Sequence, residues 1–222
     1  MKILVHGFVL VTFIMLVALG TWQVKRMIWK KDMITEIAYK STLPAEDISG
    51  VSEDQLTKYL YQPVLLKGSY HPSRELYVYS GKATNEAKTD GYYVYAPFAL
   101  ASGVNVLVNR GFISRTQKNI PVPDETDIVG VLLPNEHKKV FGVSNDLSHN
   151  IWLYLDQTEV EAYTDLKLSS YIVKQTKSKH QWPLVTPFEP TLYDQHLQYV
   201  ITWYGLAVAL AVIYGLRIRK KA

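Results

Sequence analysis

Apolar positions concentrate at the two ends of the chain. Ile3–Gly20 is an 18-residue stretch in which only His6 and Thr12 are clearly polar, and Lys2 and Lys25 bracket 22 residues without a formal charge. Leu197–Leu216 is 20 residues long, with Gln198 and Thr202 near its start, and Asp194 and Arg217 bracket another 22 uncharged positions. At about 1.5 Å per helical residue, the second stretch and the first extended to Trp22 each cross a hydrocarbon core of roughly 30 Å. Trp22 closes the first stretch, and Tyr199, Trp203 and Tyr204 open the second. Such amphipathic rings favour the headgroup level. A cleaved signal peptide, with Ala18-Leu19-Gly20 as its small-residue site, is the rival reading of the first stretch. Against it, the apolar run exceeds a usual signal core and the helical pattern continues beyond Gly20.

Met27, Ile28, Ile34, Ile37 and Ala38 carry that pattern to about Tyr39. Thr42–Ser52, with Pro44 and Gly50, reads as a linker. Ser52-Glu53-Asp54-Gln55 reads as a capping box that starts a short helix ending near Leu60. After Pro63 the pattern changes to strands: Val64–Tyr70, Glu75–Tyr79, Gly91–Phe98, Asn105–Ile113, Asp127–Leu133, Asn150–Leu155 and Ser169–Gln175. Thr84–Thr89 reads as a polar loop, Ser102-Gly103 as a turn, and Thr158–Tyr163 as a short helix capped by Asp156 or Thr158. Short, closely spaced strands without alternating long helices predict an antiparallel sheet or barrel. The expected fold class is a membrane protein, two transmembrane helices flanking an extramembrane β-rich domain of the α+β type, barrel- or sheet-like. The expected segments are a transmembrane helix over 1–24, a helical extension and linker over 25–60, and the β-rich domain over 61–180. A linker over 181–196, a transmembrane helix over 197–216 and a basic cytoplasmic tail over 217–222 complete them.

Charge changes the picture in one respect. All 20 acidic residues lie between Arg26 and Asp194, whereas Lys2, Lys25, Arg217, Arg219, Lys220 and Lys221 lie outside. The middle therefore holds 18 basic against 20 acidic residues, a balance of −2, and the overall +4 comes from the ends. This excludes a basic nucleic-acid-binding domain as the default reading. A middle rich in Tyr, Val, Leu and Ile excludes intrinsic disorder. With no Cys, thiolate catalysis, disulfides and cysteine metal sites are excluded. The cationic tail places the C-terminus in the cytoplasm, and two spans then put the N-terminus there and the central domain outside. Lys25, Arg26, Lys30 and Lys31 break the charge rule locally on the outer side. Either a function at the membrane surface keeps them there or the topology is reversed.

Enzyme motifs are missing: there is no His-Glu-x-x-His pair, no Gly-x-Ser-x-Gly elbow, and Gly81-Lys82-Ala83 lacks the rest of a phosphate-binding loop. His71, His137, His149 and His180 show no ligand spacing and read as surface or structural residues. The membrane borders are more informative. Trp22, Arg26 and Trp29 share one helical face with Lys30 beside them, and His196, Tyr199 and Trp203 share a face of the other helix. In antiparallel neighbours both faces lie at one membrane level. A neutral imidazole can ligate haem iron, a guanidinium can fork onto a propionate, and aromatic rings can flank a macrocycle. The plain alternative is an aromatic belt with snorkelling cations and an interfacial His.

Gly20-Thr21-Trp22-Gln23-Val24-Lys25-Arg26-Met27-Ile28-Trp29-Lys30 resembles the Gly-x-Trp-Gln-x-x-Arg-x-x-Trp-Lys signature of the Surfeit-locus-one family. Gly91–Phe98, Val108–Ile113 and His196–Tyr204 resemble its other blocks, in the same order and across nearly the whole chain. The resemblance implies a multi-pass inner-membrane protein with its domain on the outer face. It implies a non-enzymatic assembly factor for cytochrome c oxidase, assisting delivery or insertion of haem a into subunit I. It also carries haem a binding over to His196, as a transient iron ligand. Asp194-Gln195 stand where the family usually has Asn residues, and Phe112 where it has Trp. The expected site comprises His196, Tyr199, Trp203, Arg26, Lys30, Trp22 and Trp29. Expected partners are oxidase subunit I, haem a synthase and membrane lipid, with no nucleic acid. The lack of a transit peptide points to a bacterial plasma membrane. A haem-free interaction protein that stabilises an oxidase subunit intermediate is the alternative. Asn109-Arg110-Gly111 is expected to serve the fold or a partner surface: Asn109 ending a strand, Gly111 at positive φ, and Arg110 pairing with a domain acid or contacting a partner.

Overall fold

The structure, a computed structural model, describes residues 2–81, 90–118, 121, 123–135, 144–190 and 195–220. The loop expected over Thr84–Thr89, His137, Asp194 and the tail from Lys221 lie outside the described residues. The chain forms two compact units, Met1–Glu36 with Pro190–Ala222, and Ile37–Glu189.

Helix α1 (Lys2–Ser41) has 40 residues and helix α3 (His196–Arg219) has 24. Neither contains proline, so no backbone ladder is interrupted. Thr12, Thr21 and Thr202 return their hydroxyl protons to the carbonyls of Phe8, Val17 and Gln198, which satisfies these three donors at apolar levels. Both helices are long and apolar enough to cross a membrane. Phe8, Val11, Ile14 and Met15 on α1, and Ile201, Val208, Val212 and Ile213 on α3, are exposed. So continuous an apolar surface suits lipid as its solvent rather than water. Where the helices meet, they run antiparallel: Thr21 faces Tyr204 and His6 hydrogen-bonds Tyr214.

The second unit is a β-domain with strands β1 (Glu46–Asp47), β2 (Pro63–Tyr70), β3 (Leu76–Ser80), β4 (Gly91–Leu100), β5 (Asn105–Ser114), β6 (Asp127–Pro134), β7 (Ile151–Trp152) and β8 (Tyr171–Lys177). Strands β2, β6, β8, β5 and β4 pair in that order, and β2 pairs back onto β4 to close a barrel. Alternate residues point inward, and Val64, Leu66, Phe98, Val106, Val108, Ile128, Leu132 and Val173 fill the interior. Closure needs Gly68. There β2 leaves β6 for β4, and a Cβ would lie 2.0 Å from the Ala99 carbonyl oxygen. Outside the barrel, helix α2 (Gln157–Thr164) lays Val160 on Leu76, Leu107, Trp152 and Leu168. Asp156 caps α2 by accepting from the Glu159 amide at 3.2 Å.

Several expectations change. The sheet is mixed, because β5 runs parallel to β8, β3 to β7 and β1 to β2. The segment read as a linker contributes β1 and the fully buried Ile48. Ser52 does not cap: its hydroxyl donates to Asp54 at 2.6 Å, and Glu53–Tyr59 winds as a 3₁₀-helix. The strand expected over Asn150–Leu155 shrinks to two residues. Asn150 has φ +52, and the Asn145 side chain accepts from the amides of Leu153 and Tyr154, which bends the chain away.

Candidate cofactor-binding site at the helical pair

Every residue of the expected site lies in the helical unit. The best-defined contact starts at the N-terminus of α3, where His196 Nδ1 sits 2.7 Å from the Gln23 side-chain oxygen. Gln23 is 8% exposed, the most buried polar residue among those described in this unit. An amide oxygen accepts only, so Nδ1 of the ring is the donor in this contact. A ring fixed through Nδ1–H by a second residue is the arrangement in which Nε2 serves a metal. One turn deeper, Gly20 lets Tyr204 approach: a Cβ would meet the Tyr204 ring at 3.0 Å. Thr21 and Tyr204 hydroxyls lie 3.0 Å apart. Ala207, one turn beyond Trp203, is 3% exposed and continues the packed face.

Arg26 stacks on Trp29, with the guanidinium carbon 4.0 Å from the ring centroid. Trp22 and Trp29 are 57% and 49% exposed, and Tyr199 is 48% exposed, whereas Lys30, His196 and Trp203 are half-buried. His196 and Trp203, seven residues apart, lie on the α3 face that continues through Ala207 to Tyr214, and Tyr199 lies on its flank. Thus the structure joins His196 to Gln23 and Arg26 to Trp29, and leaves broad aromatic surface beside them. The set fits a flat amphiphile with an acidic edge: one imidazole held by its second nitrogen, exposed rings, and cations one and two turns along α1.

Gln23, Gly20, Thr21 and Tyr204 were absent from the expected site, although all stand in the sequence blocks that carry the family resemblance. Their part depends on which faces of two distant segments meet, and no single-segment pattern gives that.

The second unit accounts for the other residues singled out. Nε2 of His71 is 2.8 Å from the Asn105 side-chain oxygen, Nδ1 of His149 is 2.8 Å from Asp146, and Nε2 of His180 is 3.8 Å from Glu125. Asn109 does not end β5. Val94 faces Gly111 and Tyr95 faces Asn109, which makes Arg110 the extra residue of a β-bulge. The Asn109 side-chain oxygen accepts from the Gly111 amide at 3.0 Å, and its amide group donates to the Tyr95 hydroxyl at 3.0 Å. Burial pushes the Tyr95 phenol up to about 12. Gly111 has φ +118, and a Cβ there would lie 2.5 Å from the Leu184 carbonyl oxygen. Arg110 is 3% exposed, donates to the Pro123 carbonyl and covers the Tyr70 ring at 4.0 Å. Its contacts are thus a carbonyl and an aromatic face inside its own domain.

The model of the SURF1 family matches residues 10–208. A SURF1-like protein of Rickettsia bellii is 33% identical, over 96% of this chain and 90% of its own. Surfeit locus protein 1 of Rattus norvegicus is 31% identical over 88% of this chain and 70% of its own, and that of Homo sapiens is 30% identical over 88% and 71%. With two apolar helices flanking a barrel-like β-domain, the chain belongs to the SURF1 family, and that membership implies an assembly factor for cytochrome c oxidase.

Proposed function

We propose that the protein assists delivery or insertion of haem a into subunit I of cytochrome c oxidase, holding the haem briefly as cargo and making or breaking no bond itself. The observation that carries this reading is the His196–Gln23 contact at 2.7 Å. It fixes the imidazole through Nδ1, with Nε2 as the metal-binding nitrogen. A single ligand of this kind suits a carrier, because a closed two-ligand site would retain what it must release. Arg26 and Lys30 serve the acidic edge of the cargo, and Trp22, Trp29, Tyr199 and Trp203 serve its rings.

On this reading, haem a synthase is the donor, subunit I the acceptor, and membrane lipid the surrounding phase. The protein is multi-pass in a bacterial inner membrane, with both termini cytoplasmic and the β-domain periplasmic. A reporter active only outside the cytoplasm should be active when fused near Asn135 and silent when fused after Ala222. The opposite pattern would remove the topology. The haem-free interaction protein keeps one observation in its favour: Arg26 stacked on Trp29 is what an aromatic belt with a snorkelling cation shows without any cargo. Purification from cells that make haem a separates the two readings. The carrier is coloured, with a haem a absorption spectrum, and the interaction protein is colourless.

A further inference from the structure

An open cleft of about 610 Å³ in the β-domain has Tyr70, His71, Glu75, Tyr77, Lys118 and Asp124 among its walls. Arg110, 3% exposed, lies behind the Tyr70 wall of the cleft. Its guanidinium covers the Tyr70 ring, and its charge also acts on the Tyr77 phenol. A buried guanidinium cannot shed its proton, so it calls for full pairing. Here one amino group donates to the Pro123 carbonyl, while Nη1 has no hydrogen-bond partner, and no ion pair of Arg110 exists among the described residues. The nearly buried acid in the region, Glu125, is occupied: it accepts from Gln175 at 2.6 Å, from Ser178 at 2.7 Å and from the Lys179 amide at 3.2 Å. The Tyr70 hydroxyl is also buried without a partner among the described residues, so no hydrogen bond from them fastens the ring that covers Arg110.

From this geometry we infer that the cleft binds a carboxylate, with Arg110 as its buried counter-charge, Tyr70 as a movable donor and Lys118 at the rim. The β-bulge supplies the arrangement, since the extra residue in β5 is Arg110 itself and a bulge re-aims its side chain. Lys118 is held over the Tyr77 and Tyr92 rings at 5.4 and 5.3 Å and donates to the His149 carbonyl at 2.5 Å, which fixes it at the cleft. Among the described residues, two of the four non-glycine positions with positive φ, Ser73 and Asn150, also line the cleft. Glu75 and Asp124 set the charge class. Asp124 is exposed and screened by water, unlike Arg110, yet both acids oppose a dianion. A single planar monoanionic group matches one guanidinium better than a phosphate does. The carboxylate comes either from a free small acid or from an acidic side chain of a polypeptide.

Thermal unfolding of the full chain in nanodiscs tests this, with sodium propionate, the peptide acetyl-Gly-Glu-Gly-amide or sodium phosphate replacing sodium chloride at constant ionic strength. Propionate or the peptide should raise the midpoint saturably, and more than phosphate does. The rise should vanish in Arg110→Met, weaken in Lys118→Ala and strengthen in Asp124→Asn. A tenfold lower half-saturating concentration for the peptide identifies a polypeptide source, and the reverse identifies a free acid. Where Arg110→Met does not fold, the ¹⁵Nε–H resonance of Arg110 in the wild type replaces it and should shift with the same half-saturation. No saturable rise, an equal rise in Arg110→Met, a larger rise with phosphate, or an immobile Arg110 resonance overturns the assignment.

Discussion

Replacing Gln23 by Leu removes the oxygen that accepts from His196 while keeping an apolar side chain of similar length in a nearly buried place. The loss has two parts. A neutral hydrogen bond at 2.7 Å contributes about 0.5–1.5 kcal/mol net, which is roughly a 2- to 13-fold change in an equilibrium constant. Outer partners of metal-ligating histidines typically contribute about 10- to 100-fold to metal affinity, because they fix both tautomer and ring orientation. The overlap is about tenfold, or ~1.4 kcal/mol. Apo-protein in nanodiscs titrated with ferric haem a should therefore bind about tenfold more weakly as Gln23→Leu. On the carrier reading, the ligation spectrum of the saturated complex should stay unchanged, since that reading keeps His196 as the ligand. Gln23→Glu has the opposite character. It keeps an acceptor and adds negative charge, so affinity is retained and the reduction potential of the bound haem falls. If folded Gln23→Leu binds within about twofold of wild type, Gln23 does not orient His196, and the site loses its main structural support.

Three further outcomes test the fold around the site. Gly111→Ala forces a side chain into φ +118 and toward the Leu184 carbonyl, so it should cost at least about 1–3 kcal/mol and lower the thermal midpoint by several degrees in calorimetry. Trp152→Ala empties a fully buried site and leaves Asn150 without the indole donor at 2.9 Å, and a denaturant titration should show a loss of about 3–5 kcal/mol. The Lys67 ammonium, 2.7 Å from Asp47, with Ser49 beside it, holds the Asp47 carboxyl down to about 2. Its folded pKa lies below the unfolded one, so the pair's stabilisation is complete above the ordinary carboxylate value and fades as pH falls toward 2. A carbon-13 titration of Asp47 should show the low midpoint, and Lys67→Ala should raise it, though short of the ordinary value because the Ser49 hydroxyl and amide still donate to the carboxylate.

Strand positions were legible because the alternation of apolar residues is local. Val64, Leu66, Phe98, Val106 and Val108 sit where it puts them. Strand direction was not, since a parallel β5–β8 pair and an antiparallel one read alike in a single segment. Asn150 and Asn145 ended β7 through side-chain and backbone geometry that composition does not show. The bulge at Arg110 was half legible: Gly111 signalled a positive φ, but only the register with Val94 and Tyr95 shows that Arg110 is the extra residue. The same division holds at the helical pair. The spacing of Trp22, Arg26 and Trp29 and of His196 and Trp203 was read along each helix. Gln23 became visible as the partner of His196 only when two segments 173 positions apart came together.

The central claim is that His196 holds haem iron, and one comparison addresses it most directly. Wild type and His196→Ala are purified from cells that make haem a, after both are shown to insert and fold, and their absorption spectra and haem content are measured. The carrier reading predicts a haem a spectrum in the wild type that is lost, or shifted to another ligation state, in His196→Ala. Equal spectra and equal haem content in the two proteins would contradict it and leave the haem-free interaction protein.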